Sequence, residues 1–185
     1  LIGFAFAMGM DPFAAYDNRD EYETIMTKVE DKLIDCKSNV KTYWTGGDQL
    51  LALLRTGEVK AAMAWDAGGW KLNAENPEIR FVAPESGALG WIDTFAIPRR
   101  AENEDAAYQW INFVMRPEIA ARITNAAGNF TASKGAEAYV KAELRDAYRA
   151  SFNDEAINNI KWYPPVPPGL ETMEGQVLDR VQAAN

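Results

Sequence analysis

Histidine is absent from this 185-residue chain, and cysteine occurs once, at Cys36. The first absence removes histidine acid–base catalysis, the Ser-His-Asp arrangement and histidine metal sites together. The second leaves no internal disulfide and no zinc cluster. Cys36 falls in a helical pattern and reads as a buried or half-exposed structural thiol; a catalytic role would need a basic partner beside it. Positive charge is scarce: 19 Lys and Arg stand against 27 Asp and Glu, for a formal charge of −8, and the bases form no cluster. Nucleic acid, which needs a basic footprint, is therefore not an expected partner. An acidic surface is compatible with cationic ligands. No apolar run reaches the ~20 residues of a membrane span. Leu1 to Met10 is apolar but short, lacks the basic flank of a secretory signal, and is broken by Gly3 and Gly9 before a stop at Asp11-Pro12. It reads as a buried helix already under way at residue 1, and so as a chain truncated at its N-terminus.

Apolar residues make up 48% of the sequence, an ordinary share for a globular protein, enough for one substantial core or most of two small ones. Asn18 with Glu21 three positions on is a capping-box pattern, and Tyr22, Ile25, Met26, Val29 and Leu33 follow at helical spacing to about Cys36. Val40 to Tyr43 reads as a short strand. Gly46-Gly47 breaks it, Asp48 caps a leucine-rich helix, and Gly57 ends that helix. Val59 to Trp65 and Ile79 to Ala83 are strand candidates, with a helix between them from about Asp66 to Asn76. Asn103 with Glu104 and Asp105 opens another helix; Pro117 begins the next, which Gly128 ends. Helical patterns follow over Ser133 to Tyr148, Asp154 to Asn159 and Leu170 to Ala183, the last after the extended run Tyr163 to Gly169. Strands alternating with helices are the signature of an α/β fold.

The stretch Gly90-Trp91-Ile92-Asp93 opens a strand expected to run to Ile97. It sets an indole and a carboxylate at i and i+2, on one face. Such a pair suits an organic cation, with charge from Asp93 and a cation–π surface from Trp91. A core Trp beside an exposed Asp is the plainer alternative. Trp65 and Asp66 stand at the carboxyl end of a strand candidate, where open α/β sheets bind ligands. Trp65 equally suits a core and Asp66 a helix cap. Gly68-Gly69 matches no phosphate-binding fingerprint, the early acidic residues match no calcium loop, and Glu85 with Asp93 gives only a weak glycosidase signal.

The series Gly57-Glu58-Val59, Ala64-Trp65-Asp66, Phe81 to Gly87, Trp91-Ile92-Asp93, Ala96-Ile97-Pro98 and Trp110 to Glu118 resembles, in order, the spermidine/putrescine-binding periplasmic proteins of ABC transporters. These lie within the larger class of two-lobed solute-binding proteins. The resemblance implies a type II periplasmic-binding-protein-like fold, truncated at its N-terminus, with two α/β lobes joined by a hinge. Residues 1–91 would belong to the second lobe, 92–160 to the first after a hinge crossing, and 161–185 would return to the second. It further implies capture of a polyamine or related organic amine, delivered to a membrane permease, with no cofactor and no membrane span. The place implied is the periplasm, or a lipid-anchored extracytoplasmic position in a Gram-positive organism. By direct motif match Trp65 and Trp91 become walls of an aromatic box and Asp93 the carboxylate that grips an amine, with Asp66 beside them. The sequence departs from the family where Gly128 is followed by Asn129 and Phe130 instead of a tyrosine, so Phe130 is the replacement ring. Trp162 is followed by Tyr163 where the family often has glutamine, and Tyr163 would offer an OH or a ring. The rival expectations are an enzyme on the same two-lobed fold acting on an amine-containing substrate, and a binder of another small solute such as an anion or ferric ion.

Overall fold

Asn18 and Glu21 form the capping box that their spacing requires. In the computed structural model, which describes residues 1–184, the Asn18 side chain accepts from the Glu21 N–H at 3.3 Å. It also donates to the Glu21 carboxylate at 3.1 Å. Helix α1 (Ile2–Ala7) precedes this cap and is shorter than its apolar run, stopping at Met8 before Gly9. Helix α2 (Arg19–Asp35) follows it and ends at Cys36, which is half-buried. Then come α3 (Gly47–Arg55), α4 (Asp66–Glu75), the two-residue strand β1 (Leu89–Gly90), α5 (Glu104–Val114) and α6 (Pro117–Ala127). Helices α7 (Ala142–Ser151) and α8 (Asp154–Asn158), strand β2 (Lys161–Trp162) and α9 (Leu170–Ala183) complete the order.

The chain divides into two compact units. The first comprises Leu1–Tyr43, Ala83–Trp91 and the chain from Asp154 on. Its core is the apolar stripe of α2 (Tyr22, Ile25, Met26, Val29, Leu33) closed by Leu170, Val177 and Val181 of α9 and by Ile2 and Ala5 of α1. Polar links between α2 and α9 progress together along both helices: Tyr22 to Glu174, Glu30 to Arg180, and Lys37 to the carbonyls of Gln182 and Ala184. The two helices therefore run parallel. The second unit comprises Trp44–Val82 and Ile92–Asn153, with a small core of Ala120, Ala121, Ala136 and Val140. Residues 44–82 thus group with 92–153 in one unit, apart from 1–43 and 83–91.

Helices follow the sequence closely, with two corrections. The cap of α3 is Gly46, with Asp48 in the first turn beyond it. The pattern over Ser133 to Tyr148 resolves into a 3-10 turn, Ala136–Ala138, and then α7. Strands depart further. No strand is assigned over Val40 to Tyr43, Val59 to Trp65, Ile79 to Ala83 or Ile92 to Ile97. A strand exists by its ladder, and among the described residues only β1 and β2 pair, in parallel. Lys161 N–H donates to the Ala88 carbonyl and Tyr163 N–H to that of Gly90. The next donor along β2 is residue 165, a proline without an N–H, so the ladder cannot continue alongside Ile92. The strand that was to hold Trp91 and Asp93 on one face is therefore not formed.

Candidate functional site

Helix α4 brings a carboxylate and an indole to one end of the second unit. Trp65 is its N-cap residue and Asp66 its first helical residue, so Asp66 is not the cap expected of it. The Asp66 carboxylate accepts from the Ala67 N–H at 2.7 Å. Burial pushes its pKa up, and this outweighs the lowering by the backbone N–H bonds. Trp65 is 47% exposed, with its ring edge-on to Trp44 at 5.0 Å. The Trp44 indole donates to the Met63 carbonyl at 3.0 Å.

One turn further along α4, Trp70 is 5% exposed and centres a cluster of rings. Phe130 lies 5.6 Å away, Phe81 6.0 Å, Tyr148 6.1 Å and Phe152 6.5 Å, most of them edge-on, as ring quadrupoles prefer. Phe130 and Tyr148 are themselves 4.7 Å apart. The Tyr148 hydroxyl has its pKa raised by burial and then by the charge of Asp66. Gly128 holds the pieces together. It caps α6 in the left-handed region, and a Cβ placed there would lie 3.2 Å from that of Ala67. The end of α6 therefore packs against the start of α4, and Phe130, two residues on, meets Trp70 one turn further along.

Of the residues singled out from sequence, Asp66, Trp65 and Phe130 belong to this one unit. Asp93 belongs to it by chain position and is exposed. Trp91 and Tyr163 belong to the first unit. Trp91 is 54% exposed. Tyr163 packs on Phe13 at 5.2 Å in a file of rings that continues through Tyr16 to Tyr22. Its pKa is raised by burial and by Glu174. Sequence reasoning missed Trp44, Trp70, Tyr148 and Phe152 as neighbours of the site. Trp70 was readable as an apolar residue on α4, but its ring partners arrive from positions 81 to 152, a separation no local pattern carries.

A partly desolvated carboxylate can hold an organic cation by charge, and an aromatic residue next to it, as Trp65 is in sequence, can add the negative face of its ring. The sequence profile of the bacterial extracellular solute-binding proteins matches residues 2–149. The chain belongs to that family. Its α/β fold class is that of the solute-binding proteins, largely helical over the residues described. The putrescine-binding periplasmic protein PotF of Escherichia coli (strain K12) is 29% identical over 145 residues, covering 75% of this chain and 37% of the relative. A spermidine/putrescine-binding periplasmic protein of the same organism is 29% identical over 106 residues, or 57% and 30%. Spermidine/putrescine-binding periplasmic protein 1 of Haemophilus influenzae is 23% identical over 168 residues, or 91% and 46%. This chain thus spans less than half the length of each of these relatives. All three are named as binding proteins. No helix among the described residues is long and apolar enough to cross a membrane.

Proposed function

We propose that this chain serves in periplasmic capture of a polyamine or related organic amine, handed on to the membrane permease of an ABC transporter. The observation that carries the reading is the set of matched relatives named for putrescine and spermidine. Asp66, half-buried beside Trp65 in the unit that also holds the Phe130–Tyr148 ring pair, supports it, because a ring facing an ammonium adds about 0.5–2 kcal/mol and a carboxylate adds charge. In this reading Trp65, Asp66, Phe130, Asp93, Trp91 and Tyr163 are the candidate ligand-contacting residues. Where ligand excludes water, each charge contact strengthens as the local dielectric falls.

The test is thermal unfolding of the intact protein with a panel of amines that includes putrescine and spermidine. A ligand at a hundred times its Kd stabilises by about 2.7 kcal/mol. Asp93→Ala is expected to remove most of that gain. No shift with any amine overturns the reading. A shift that survives Asp93→Ala unchanged leaves amine capture standing and removes Asp93 from the site.

A further inference from the structure

Trp70 is buried, and its indole N–H is a donor with no alternative role. It donates to the Ser151 hydroxyl at 2.9 Å. That hydroxyl has a single proton, which it gives either to the Phe81 carbonyl at 3.1 Å or to the Ala147 carbonyl at 3.0 Å, one turn back on α7. Ser151 therefore joins three segments at one atom: α4 through Trp70, the chain at Phe81, and its own helix. Every ring that meets Trp70 sits on one of these segments or beside them. Tyr148 and Phe152 flank Ser151 in sequence, Phe81 carries the carbonyl, and Phe130 contacts both Trp70 and Tyr148.

We infer that Ser151 is a positioning residue for the amine site, fixing the Trp70 ring as the wedge against which Phe130 and Tyr148 stand. The inference rests on the amine-capture reading and adds a residue without contact to the ligand. Replacing the hydroxyl leaves the indole N–H buried without a partner, which releases the wedge. The consequence at the site is a loss of discrimination by headgroup size, because a cage of loosened rings accepts a bulkier ammonium that the fixed cage rejects.

The experiment measures binding of putrescine and of its N,N,N′,N′-tetramethyl derivative to the intact protein by calorimetry. Wild type, Ser151→Ala, Ser151→Thr, Trp70→Phe and the Ser151→Ala/Trp70→Phe double variant are compared. Ser151→Ala is expected to weaken putrescine about tenfold, the effect of one lost buried hydrogen bond, and to narrow the preference for putrescine over the tetramethyl form. Ser151→Thr is expected to restore both. In the Trp70→Phe background, which lacks the donor, Ser151→Ala is expected to change neither. This arm also decides the matter if Ser151→Ala alone fails to fold. A lower melting temperature with unchanged affinity and preference overturns the inference, as does an undiminished effect of Ser151→Ala in the Trp70→Phe background. A wild-type protein that binds no amine overturns the capture reading and this inference with it. Wild-type binding with an indifferent Ser151 overturns the inference alone.

Discussion

The Tyr22 hydroxyl donates to the Glu174 carboxylate at 2.5 Å, joining α2 to α9 across 152 positions of sequence. Tyr22 is fully buried and Glu174 half-buried, so water cannot readily substitute at the hydroxyl when this bond is lost. Tyr22→Phe keeps the ring and removes the donor, and is expected to cost about 2 kcal/mol, as for a hydrogen bond to a charged group. Arg180 makes a two-pronged bond to Glu30 along the same pair of helices, but its side chain is 55% exposed. Solvent screens such a pair, so Arg180→Ala is expected to cost distinctly less than Tyr22→Phe. Urea unfolding of both variants checks the ranking, and equal losses would contradict it.

The same neighbourhood governs behaviour at high pH. The Tyr16 hydroxyl has its pKa pushed up to about 12, first by burial and then by Glu174, Tyr163 and Glu171. Tyr22 is raised as well, by burial and by its bond to Glu174. A raised acid pKa means that the native state holds its proton after the unfolded chain has lost it near the ordinary tyrosine value of 10.0. Between those points the native state binds more protons, so stability falls as pH rises. The expected result is no tyrosine-linked change below pH 10 and a progressive loss above it. Tyr16→Phe should make that loss shallower in a far-UV dichroism titration.

Local chemistry was legible and long-range pairing was not. The Asn18 cap, the proline at the start of α6, the glycine at its end and the span of α9 follow from a few neighbouring residues each, and all appear where their spacing places them. The four expected strands depended on partners that sequence does not name, and Pro165 stops the one ladder that forms among the described residues. The candidate site divides the same way. Trp65, Asp66 and Phe130 were visible because motif order marks them. Trp70 and Ser151 were not, because what makes them matter is a contact across 81 positions.

The capping box gives a clean stability test. Asn18→Ala removes both the acceptor for the Glu21 N–H and the donor to its carboxylate, and is expected to cost about 1 kcal/mol. Asn18→Asp keeps the acceptor and adds favourable charge at the helix start, so it should retain most of the stability. Chemical denaturation distinguishes the two. Equal losses would mean that the side chain at residue 18 contributes through packing instead.

Asp66 predicts opposite signs for stability and binding. Its pKa is raised chiefly by burial, so the native state keeps its proton above the ordinary aspartate value of 3.8, where the unfolded chain has released it. Stability therefore falls as pH rises through that window, and the cost is fully present once the native carboxylate is ionised. Asp66→Asn keeps an acceptor for the Ala67 N–H and removes the charge. It should flatten this dependence, raise the melting temperature at neutral pH and weaken amine binding. A variant that is less stable at pH 7 would contradict burial as the dominant influence.

Gly128 couples the end of α6 to the start of α4, and its substitution separates a site effect from a backbone effect. Its φ is +83°, and an added Cβ would stand 3.2 Å from the Ala67 Cβ. Gly57 has a similar φ of +73°, but a Cβ there meets only the Lys60 ammonium at 3.6 Å, the far end of a flexible side chain. Alanine at either position carries the left-handed penalty of about 1 kcal/mol. Only Gly128→Ala also presses on Ala67, next to Asp66, and shifts Phe130 two residues on. The expected outcome is a comparable loss of stability in the two variants, with putrescine affinity reduced in Gly128→Ala and preserved in Gly57→Ala. Parallel melting curves and titrations check both halves. Preserved affinity in Gly128→Ala would show that the junction of α4 and α6 does not shape the amine site.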